Sequence, residues 1–324
     1  MRLRLAFLGS PEFAVPSLQG LASRHEVALV VTQPERPGGR GLLPTPTAVH
    51  EAATALHLPV VTVARHGRQQ LEDSLRPLAL DVLVVVAFGQ ILRQSTWETA
   101  RRGALNVHAS LLPRWRGVAP IERALLAGDT STGVSLMVIE AGVDTGPVLA
   151  RQALLIEPES TRAELTARLA AAGAALLLEH VEAYVAGSLV PEPQDATAAT
   201  YASALRKEEG RIDWGASAAQ IARQVRAFAG WPGTTTEWAG VALKVHAVRV
   251  ANSTLPGVAP GTVVLADPRR GVQVACGEGV LDLLEVQLPG KARVPARTLV
   301  QGRGLVPGQR LGMQSNGARR GEST

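Results

Sequence analysis

Two side chains that could act on a carbonyl group lie two residues apart near the middle of the chain. Asn106 and His108 end an apolar run that begins at Ala104. Side chains alternate along a strand, so a strand here would present the amide and the imidazole on one face. Such a pair could stabilise an oxyanion while a proton is transferred nearby, as acyl or formyl transfer requires. A histidine that is simply satisfied within the structure would show the same spacing, so the pair alone leaves both interpretations open.

A carboxylate that could serve this pair follows a later apolar run. Asp144 stands between glycines in Gly142-Val143-Asp144-Thr145-Gly146. A carboxylate beside an imidazole fixes its tautomer and favours its protonated form. An Asx turn that caps the local backbone would explain Asp144 equally well.

Several other kinds of site lack their sequence patterns. No spacing of histidine, cysteine and aspartate resembles a metal-ligand set, so we predict no metal site. The first strand is not followed by the G-x-G-x-x-G of dinucleotide-binding proteins. The chain has neither a Walker loop nor the G-x-S-x-G of serine hydrolases.

The elements that must position these groups are predicted by alternating apolar runs and helix-length stretches. The runs that read as strands are 3–8, 27–31, 60–63, 82–86, 104–108, 134–139 and 148–155, and residues 161–186 read as one long helix. This alternation predicts an α/β, Rossmann-like, mostly parallel sheet flanked by helices. Ligands of such sheets bind at the carboxyl ends of the strands, where Asn106 and His108 would lie.

The length and the composition after residue 187 predict a second domain. A chain of 324 residues exceeds what one core usually organises. We predict a first domain over 1–187, a polar, proline-bearing linker over 188–207 and a second domain over 208–312. Short strands with Gly and Pro turns in the second domain suggest a small β-barrel. Residues 313–324 are expected to be a disordered tail.

The charge is concentrated in the C-terminal third. Residues 1–207 carry 19 basic and 19 acidic side chains, whereas residues 208–324 carry 14 and 9, which accounts for the whole net charge of +5. A local basic excess is typical of a surface that meets a polyanion, although solubility alone would also explain it.

Composition also excludes some classes of protein and favours a compartment. With 46% hydrophobic and 19% charged residues, the chain is not disordered as a whole. No uninterrupted apolar run approaches the roughly 18 residues of a membrane helix, and the apolar start is too short for a signal peptide. We expect a cytoplasmic protein that does not enter a membrane. The single cysteine, Cys276, cannot form an internal disulfide and reads as a small core residue.

Taken together, the motifs resemble those of the formyltransferases that use 10-formyltetrahydrofolate. The resemblance lies in Asn106-Val107-His108, in the following 110–117 stretch Ser-Leu-Leu-Pro-Arg-Trp-Arg-Gly, and in the setting of Asp144. It implies a formyltransferase domain in which Asn106, His108 and Asp144 are catalytic. It also implies a folate site formed by Ser110, Leu111, Leu112, Pro113, Phe88 and Gly89. For Phe88, packing in the core is an equal alternative.

Four further stretches resemble the members of this family that formylate the methionine carried by initiator tRNA. They are residues 7–14, 32–41, 119–121 and 207–214, so the resemblance extends over both domains, from about residue 3 to residue 311. It implies that Arg36 and Arg40, in a loop over 32–47, contact the tRNA acceptor stem, with Lys207 as a further contact. It also implies that the basic barrel is OB-like and lies along the stem. We expect this loop to be too irregular to form an element of its own. A solvated surface loop is the alternative. The resemblance further implies a monomer.

Two other functions remain open from the sequence. The formyl acceptor could be a small amine, such as glycinamide ribonucleotide or a sugar amine, or water. The chain could also be an RNA-binding relative that has lost activity. The arginine-bearing loop and the basic second domain favour tRNA over a small acceptor, and the intact Asn106, His108 and Asp144 favour an active enzyme.

Overall fold

The computed structural model describes residues 1–38, 43–64, 66–253 and 255–312, which form two compact units. The first unit comprises Met1–Ala124, Asp129–Pro158 and Ala163–Ala204, and the main part of the second begins at Leu205. The limits predicted for the two domains and the linker stay a prediction. The predicted tail over 313–324 lies outside the described residues.

The first unit is a seven-stranded sheet with helices, together with two small strand pairs. Its strands are β1 (Arg4–Gly9), β2 (Glu26–Thr32), β3 (Arg36–Gly38), β4 (Leu43–Thr45), β5 (Val60–Thr62), β6 (Val82–Val86), β7 (Ala104–His108), β8 (Arg116–Gly117), β9 (Ser131–Val138), β10 (Val148–Leu155) and β11 (Tyr201–Ala202). Its helices are α1 (Val15–Arg24), α2 (Ala48–Ala55), α3 (Arg68–Leu75), α4 (Gln94–Trp97), α5 (Pro120–Ala127) and α6 (Arg162–Ala186).

The order of the large sheet is β10-β9-β7-β6-β1-β2-β5. Strands β1, β2, β5, β6 and β7 are parallel, whereas β9 runs antiparallel to β7 and β10 antiparallel to β9. Every residue of β6 is buried, as expected where helices cover both faces of a parallel sheet. The predicted Rossmann-like, mostly parallel sheet is therefore confirmed, and β6 and β7 end side by side.

The loop predicted over 32–47 contains more regular structure than expected. Strands β3 and β4 pair antiparallel, with Pro37 opposite Pro44. The expectation that this segment forms no element was therefore wrong. Proline has no N–H to donate to a neighbouring strand, so within sheets it is found mainly on edge strands. Both strands of a two-stranded pair are edge strands, so proline is tolerated here.

Helix α6 has the length and composition of a membrane-crossing helix, and it is the one helix of the described residues that does. Half of its most apolar stretch is buried inside the protein. A helix in a protein core passes the same test, and the buried side chains of α6 include Leu165, Leu169, Leu176 and Leu177.

The second unit is built on one antiparallel sheet. Its strands are β12 (Thr234–Trp238), β13 (Val241–Ala251), β14 (Val263–Asp267), β15 (Gly271–Ala275), β16 (Val280–Gln287) and β17 (Val294–Pro295), with helices α7 (Ala218–Ala227) and α8 (Thr298–Arg303). The strand order is β12-β13-β16-β15-β14, and β17 pairs with β16. The predicted short strands are confirmed, and an OB-like closure of the sheet stays a prediction. Cys276 lies in the core of this unit, where burial raises the pKa of its thiol to about 12.

A close helix–strand approach supports the strand that carries Asn106 and His108. Gly173 of α6 packs so near Val107 of β7 that a methyl group on Gly173 would lie 2.6 Å from Val107 Cγ1. Val107 is buried and branched, so it has little room to give way.

We therefore expect Gly173→Ala to lower the free energy of unfolding by about 1–3 kcal/mol, measured by chemical denaturation, because overpacking a core has that cost. An exposed helix position would respond in the opposite direction, since alanine exceeds glycine in helix propensity by about 1 kcal/mol. In a Val107→Ala background the clash is removed, so the same substitution should become neutral or stabilising. An equal loss in both backgrounds would contradict this account.

Candidate active site

The carboxylate of Asp144 brings the predicted catalytic groups together. Asn106 Nδ2 donates to Asp144 Oδ1 at 3.4 Å, and His108 Nδ1 lies 3.6 Å from Asp144 Oδ2. Asn106 and His108 therefore face the same side of β7, as the spacing predicts. The side chains of His108 and Asp144 are 6% and 16% exposed, so the pair lies in a largely desolvated place.

Asp144 is held by a backbone group from a different loop. Its Oδ2 accepts a hydrogen bond from the Gly117 N–H at 2.8 Å. No described backbone N–H two residues further on donates to this carboxylate, so the Asx turn is not formed. Asp144 itself has a φ of 53°, in the left-handed region that non-glycine residues rarely adopt. The surrounding contacts must therefore hold this turn against its own backbone preference.

The orientation of the His108 ring assigns its proton. His108 Nε2 lies 2.9 Å from the carbonyl oxygen of Trp115, which can only accept a hydrogen bond. We therefore assign the hydrogen of the neutral ring to Nε2. This leaves the lone pair on Nδ1, the nitrogen that faces Asp144. When Nδ1 takes up a proton, the resulting imidazolium is next to the carboxylate, which stabilises it.

Trp115, whose carbonyl holds the His108 ring, is in turn held by Asp129. The Trp115 indole donates to Asp129 Oδ2 at 2.8 Å. Arg114 donates to both oxygens of the same carboxylate, at 2.9 and 2.6 Å, and its guanidinium stacks on the Trp115 ring at 4.5 Å. These hydrogen bonds raise the pKa of Arg114. The hydrogen-bonded groups that orient His108 are thus held by the bidentate ion pair between Arg114 and Asp129.

The loop expected to bind folate is held in shape by a buried serine of β9. Ser135 Oγ donates to the Ser110 carbonyl at 2.7 Å and accepts from the Leu112 N–H at 3.0 Å. Ser110 is fully buried, and its hydroxyl donates to the Arg114 carbonyl at 2.6 Å. Leu112 packs with Met137 and Val148, and the Leu112–Pro113 peptide is cis. The side chains of Leu111 and Pro113 are half-buried.

Phe88 and Gly89 differ in what they can present at the end of β6. The Phe88 side chain is 1% exposed and packs in the core with Leu8 and Val85, which fits the core-packing alternative. Its carbonyl accepts from Gln33 Nε2 at 2.7 Å. Gly89 is exposed and has a φ of 76°, so it can present its backbone at this edge of the sheet.

Of the residues expected to contact tRNA, the structure describes the backbone of Arg36 and the side chain of Lys207. Arg36 begins β3, and Arg40 lies outside the described residues. Lys207 is exposed in a 3-10 turn over Lys207–Gly210 near the start of the second unit. In the parts of the chain that the structure describes, no three His, Cys, Asp or Glu side chains cluster as metal ligands would.

Several groups of the site were missed by reading side-chain types. The partners of Asp144 and His108 include the N–H of Gly117 and the carbonyl of Trp115, and backbone groups leave no pattern in a sequence. The signal in the sequence that could have identified Gly117 is its residue type, because this position requires a glycine. It has a φ of 118°, and a Cβ there would lie 2.6 Å from the Ala202 carbonyl oxygen. Gln194, which donates to the Asp144 carbonyl, and Arg116, which donates to Gln194, were missed as well.

The chain was compared with known proteins. Residues 3–181 match the family described as formyl transferase, and residues 204–304 match the C-terminal domain of formyl transferases. The methionyl-tRNA formyltransferase of Roseiflexus castenholzii is 45% identical over 314 residues, which is 96% of this chain and 100% of that protein. The methionyl-tRNA formyltransferase of Paracoccus denitrificans is 46% identical over 303 residues, 94% of this chain and 98% of that protein.

Solved structures of low sequence identity share the fold. An N-formyltransferase from Helicobacter canadensis, in complex with folinic acid and dTDP-3-aminofucose, has a TM-score of 0.64 at 19% identity and covers 87% of this chain and 99% of its own. HypX from Aquifex aeolicus in complex with tetrahydrofolic acid has a TM-score of 0.63 at 16% identity, over 92% of this chain and 47% of its own.

The Ser135 contacts lead to a stability prediction. Ser135→Ala would remove the only hydrogen-bond partner that the described residues give the buried Leu112 N–H, and it would also remove a donor to Ser110. We expect the free energy of unfolding to fall by about 1–3 kcal/mol, measured by chemical denaturation. Ser23→Ala is the matched control, because the Ser23 hydroxyl also donates to a backbone carbonyl at 2.7 Å but is exposed. Its effect should stay within about 0.5 kcal/mol. Equal effects of the two substitutions would contradict a structural role for the Ser135 bridge.

Proposed function

This chain belongs to the formyl transferase family, and from that membership we propose that it transfers the formyl group of 10-formyltetrahydrofolate to the α-amino group of methionyl initiator tRNA, for translation initiation. The observation that carries the proposal is similarity over nearly the whole chain, both units included, to methionyl-tRNA formyltransferases. The cluster around Asp144 supports it, because its groups suit the chemistry of that transfer.

The reaction requires a nucleophilic amine and two proton movements. The amino nitrogen attacks the formyl carbon, a tetrahedral centre with a developing negative oxygen forms, and the bond from that carbon to N10 then breaks. The attacking nitrogen loses a proton and N10 gains one. No covalent bond to the protein is needed. The protein must therefore stabilise the oxyanion and hold the proton between its donor and its acceptor.

We assign these two tasks to the groups beside Asp144. Asn106 uses one amide N–H toward Asp144, and its second N–H has no partner among the described residues. That second N–H is the donor for the oxyanion. His108 Nδ1 is the proton acceptor, because Nε2 is occupied by the Trp115 carbonyl. Asp144 stabilises the imidazolium that forms, at 3.6 Å.

We assign folate binding to the edge formed by the ends of β6 and β7. Leu111, Pro113 and Gly89 are the accessible members of the expected set. The buried Ser110, Leu112 and Phe88 support the surface from beneath. The similar structures that contain tetrahydrofolic acid or folinic acid share the fold of this chain at low sequence identity. They do not assign individual residues, so the residue assignments are part of the proposal.

We assign tRNA binding to the β3–β4 hairpin and to the basic second unit. Arg36, Arg40 and Lys207 are the proposed contacts, since cationic side chains bind phosphates and release counterions. The affinity for tRNA should therefore fall steeply with salt. We also propose that the enzyme is cytoplasmic and acts as a monomer.

The test of the proposal is transfer of labelled formyl from 10-formyltetrahydrofolate to three acceptors offered separately: methionyl initiator tRNA, free methionine and glycinamide ribonucleotide. We expect label on the charged tRNA alone. Label on a small amine, or release of formate with every acceptor, would retain the site chemistry but overturn the assignment of the acceptor. Absence of any turnover would overturn the enzymatic proposal.

For the proton acceptor, we expect His108→Ala to lower kcat by about 10²-fold or more, because general-base catalysis contributes on that scale. Steady-state kinetics and a separate tRNA-binding titration should show an almost unchanged affinity for tRNA. His66→Ala is the control, since that histidine is exposed and belongs to no contact of the site. A kcat near the unmodified value for His108→Ala would remove this residue from the mechanism.

For the hairpin, we expect Arg40→Ala to lower kcat/KM for charged initiator tRNA about tenfold and to reduce the salt slope of tRNA binding by about one. The KM for the folate donor should not change. Arg68→Ala serves as the control, because Arg68 is an exposed arginine on α3. An unaffected kcat/KM would return this segment to a solvated surface loop.

A further inference from the structure

The part of the first unit that follows α6 contains a side chain that contacts both loops of the candidate site. Gln194 Nε2 donates to the Asp144 carbonyl at 2.9 Å and to the Gly146 carbonyl at 2.7 Å. Its Oε1 accepts from Arg116 Nε at 3.1 Å and from Arg116 Nη2 at 2.9 Å. Both N–H groups and both lone pairs of the amide are therefore used, and each pair of bonds is made to one loop.

These bonds close a ring on Asp144. Gly117, the residue after Arg116, donates its N–H to the Asp144 carboxylate at 2.8 Å. Starting from that carboxylate, the path runs through Gly117, the Arg116 side chain and Gln194, and it returns to the Asp144 carbonyl. Both the side chain and the backbone of Asp144 are thus fixed by one connected set of groups, which restricts the left-handed turn far more than either contact would alone.

Arg116 strengthens the ring electrostatically. Its side chain is 5% exposed, and within the described parts of the chain it has no carboxylate partner. A guanidinium that donates twice to an amide oxygen makes charge-assisted bonds and polarises the amide. The two N–H groups of Gln194 consequently become better donors to the carbonyls of the Asp144 turn.

The backbone on either side of Gln194 is anchored to the same two loops. Glu192 exchanges two backbone hydrogen bonds of 2.8 Å with Val148, at the start of β10. Further on, β11 pairs in parallel with β8, so that Ala202 lies opposite Gly117. Gln194 is therefore placed by main-chain pairing on both sides.

From this arrangement we propose that Gln194 is a positioning residue for formyl transfer, which sets the Asp144 carboxylate against His108 and Asn106 through the Asp144 and Gly146 carbonyls. It does not contact the reacting groups. This inference rests on the proposed function, and it assigns to the stretch after α6 a role in the rate of the chemical step.

The test compares Gln194→Glu with Asp195→Ala. Glutamate keeps an oxygen for Arg116 but replaces the donor nitrogen with a second oxygen, which repels the two carbonyls. We expect kcat to fall at least tenfold, while the KM for charged tRNA and for the folate donor stays within about twofold. Asp195 is the adjacent residue and is exposed; it caps the following turn through the Thr197 N–H. Asp195→Ala should leave kcat within about twofold.

A double-mutant cycle separates positioning from general loosening of the fold. In an Asp144→Asn background the carboxylate that Gln194 positions is already absent, so adding Gln194→Glu should lower kcat by less than about twofold further. Multiplicative losses would overturn the proposal, as would a single variant with normal kcat or with a loss confined to KM. If Gln194→Glu does not fold, Gln194→Ala replaces it throughout, with the same criteria.

Failure of the proposal for Gln194 can be distinguished from failure of the proposed function. The unmodified protein is assayed first with each acceptor, and folate binding is titrated separately for every variant. If the unmodified protein formylates an acceptor other than tRNA, the proposed acceptor is wrong, yet the cycle is carried out with the acceptor that is used. If the unmodified protein transfers no formyl group, both proposals fail, and the binding titrations show whether the folate site is intact.

Discussion

The arrangement of the site depends on the turn at Asp144, whose backbone conformation is unfavourable for a residue other than glycine. Asp144 adopts a left-handed backbone, and its carboxylate is aimed at two side chains of β7. Such a conformation costs of the order of 1 kcal/mol or more for a non-glycine residue, so surrounding contacts must hold it. Those contacts come from the Gly117 N–H and from Gln194, in parts of the chain far from Asp144 in sequence. The position of this carboxylate is therefore determined by several loops together.

The sheet supplies the rigid half of this site. Strand β7 lies between β6 and β9, and Val107 points from it against the close glycine of α6. Asn106 and His108 are consequently held rigidly by the packed core, whereas the groups that contact them come from loops. The loops are stiffened by the buried hydrogen bonds of Ser135 with the 110–112 backbone. They are stiffened further by the more exposed hydrogen bonds that Arg114 and Trp115 donate to Asp129. Rigid strands and braced loops together preorganise the groups proposed to be catalytic, so that little reorganisation would remain for the reaction itself.

Much of this fold can be predicted because its signals are local. Strand β6 follows directly from a continuous apolar run and β7 from a mainly apolar one, and the face shared by Asn106 and His108 follows from the two-residue period of a strand. The 32–47 segment was predicted less well. Its prolines and glycines are typical of an irregular loop, and the pairing of β3 with β4 is not visible in either stretch taken alone. Phe88 shows a related limit. An aromatic residue at the end of a strand fits a ligand pocket or a core equally well, and only its surroundings, which bury it with Leu8 and Val85, decide between the two.

The sequence by itself determined the family and the mostly parallel sheet, and it predicted Asn106, His108 and Asp144 as the chemically useful groups. These follow from residue types and short spacings, which local geometry translates into structure. Only the tertiary structure decided which nitrogen of His108 meets a carbonyl, what holds Asp144 and which groups Gln194 contacts. These are contacts of backbone N–H and carbonyl groups with side chains distant in sequence. Because every residue carries the same backbone groups, nothing in the amino-acid letters marks the ones that the fold brings to the site.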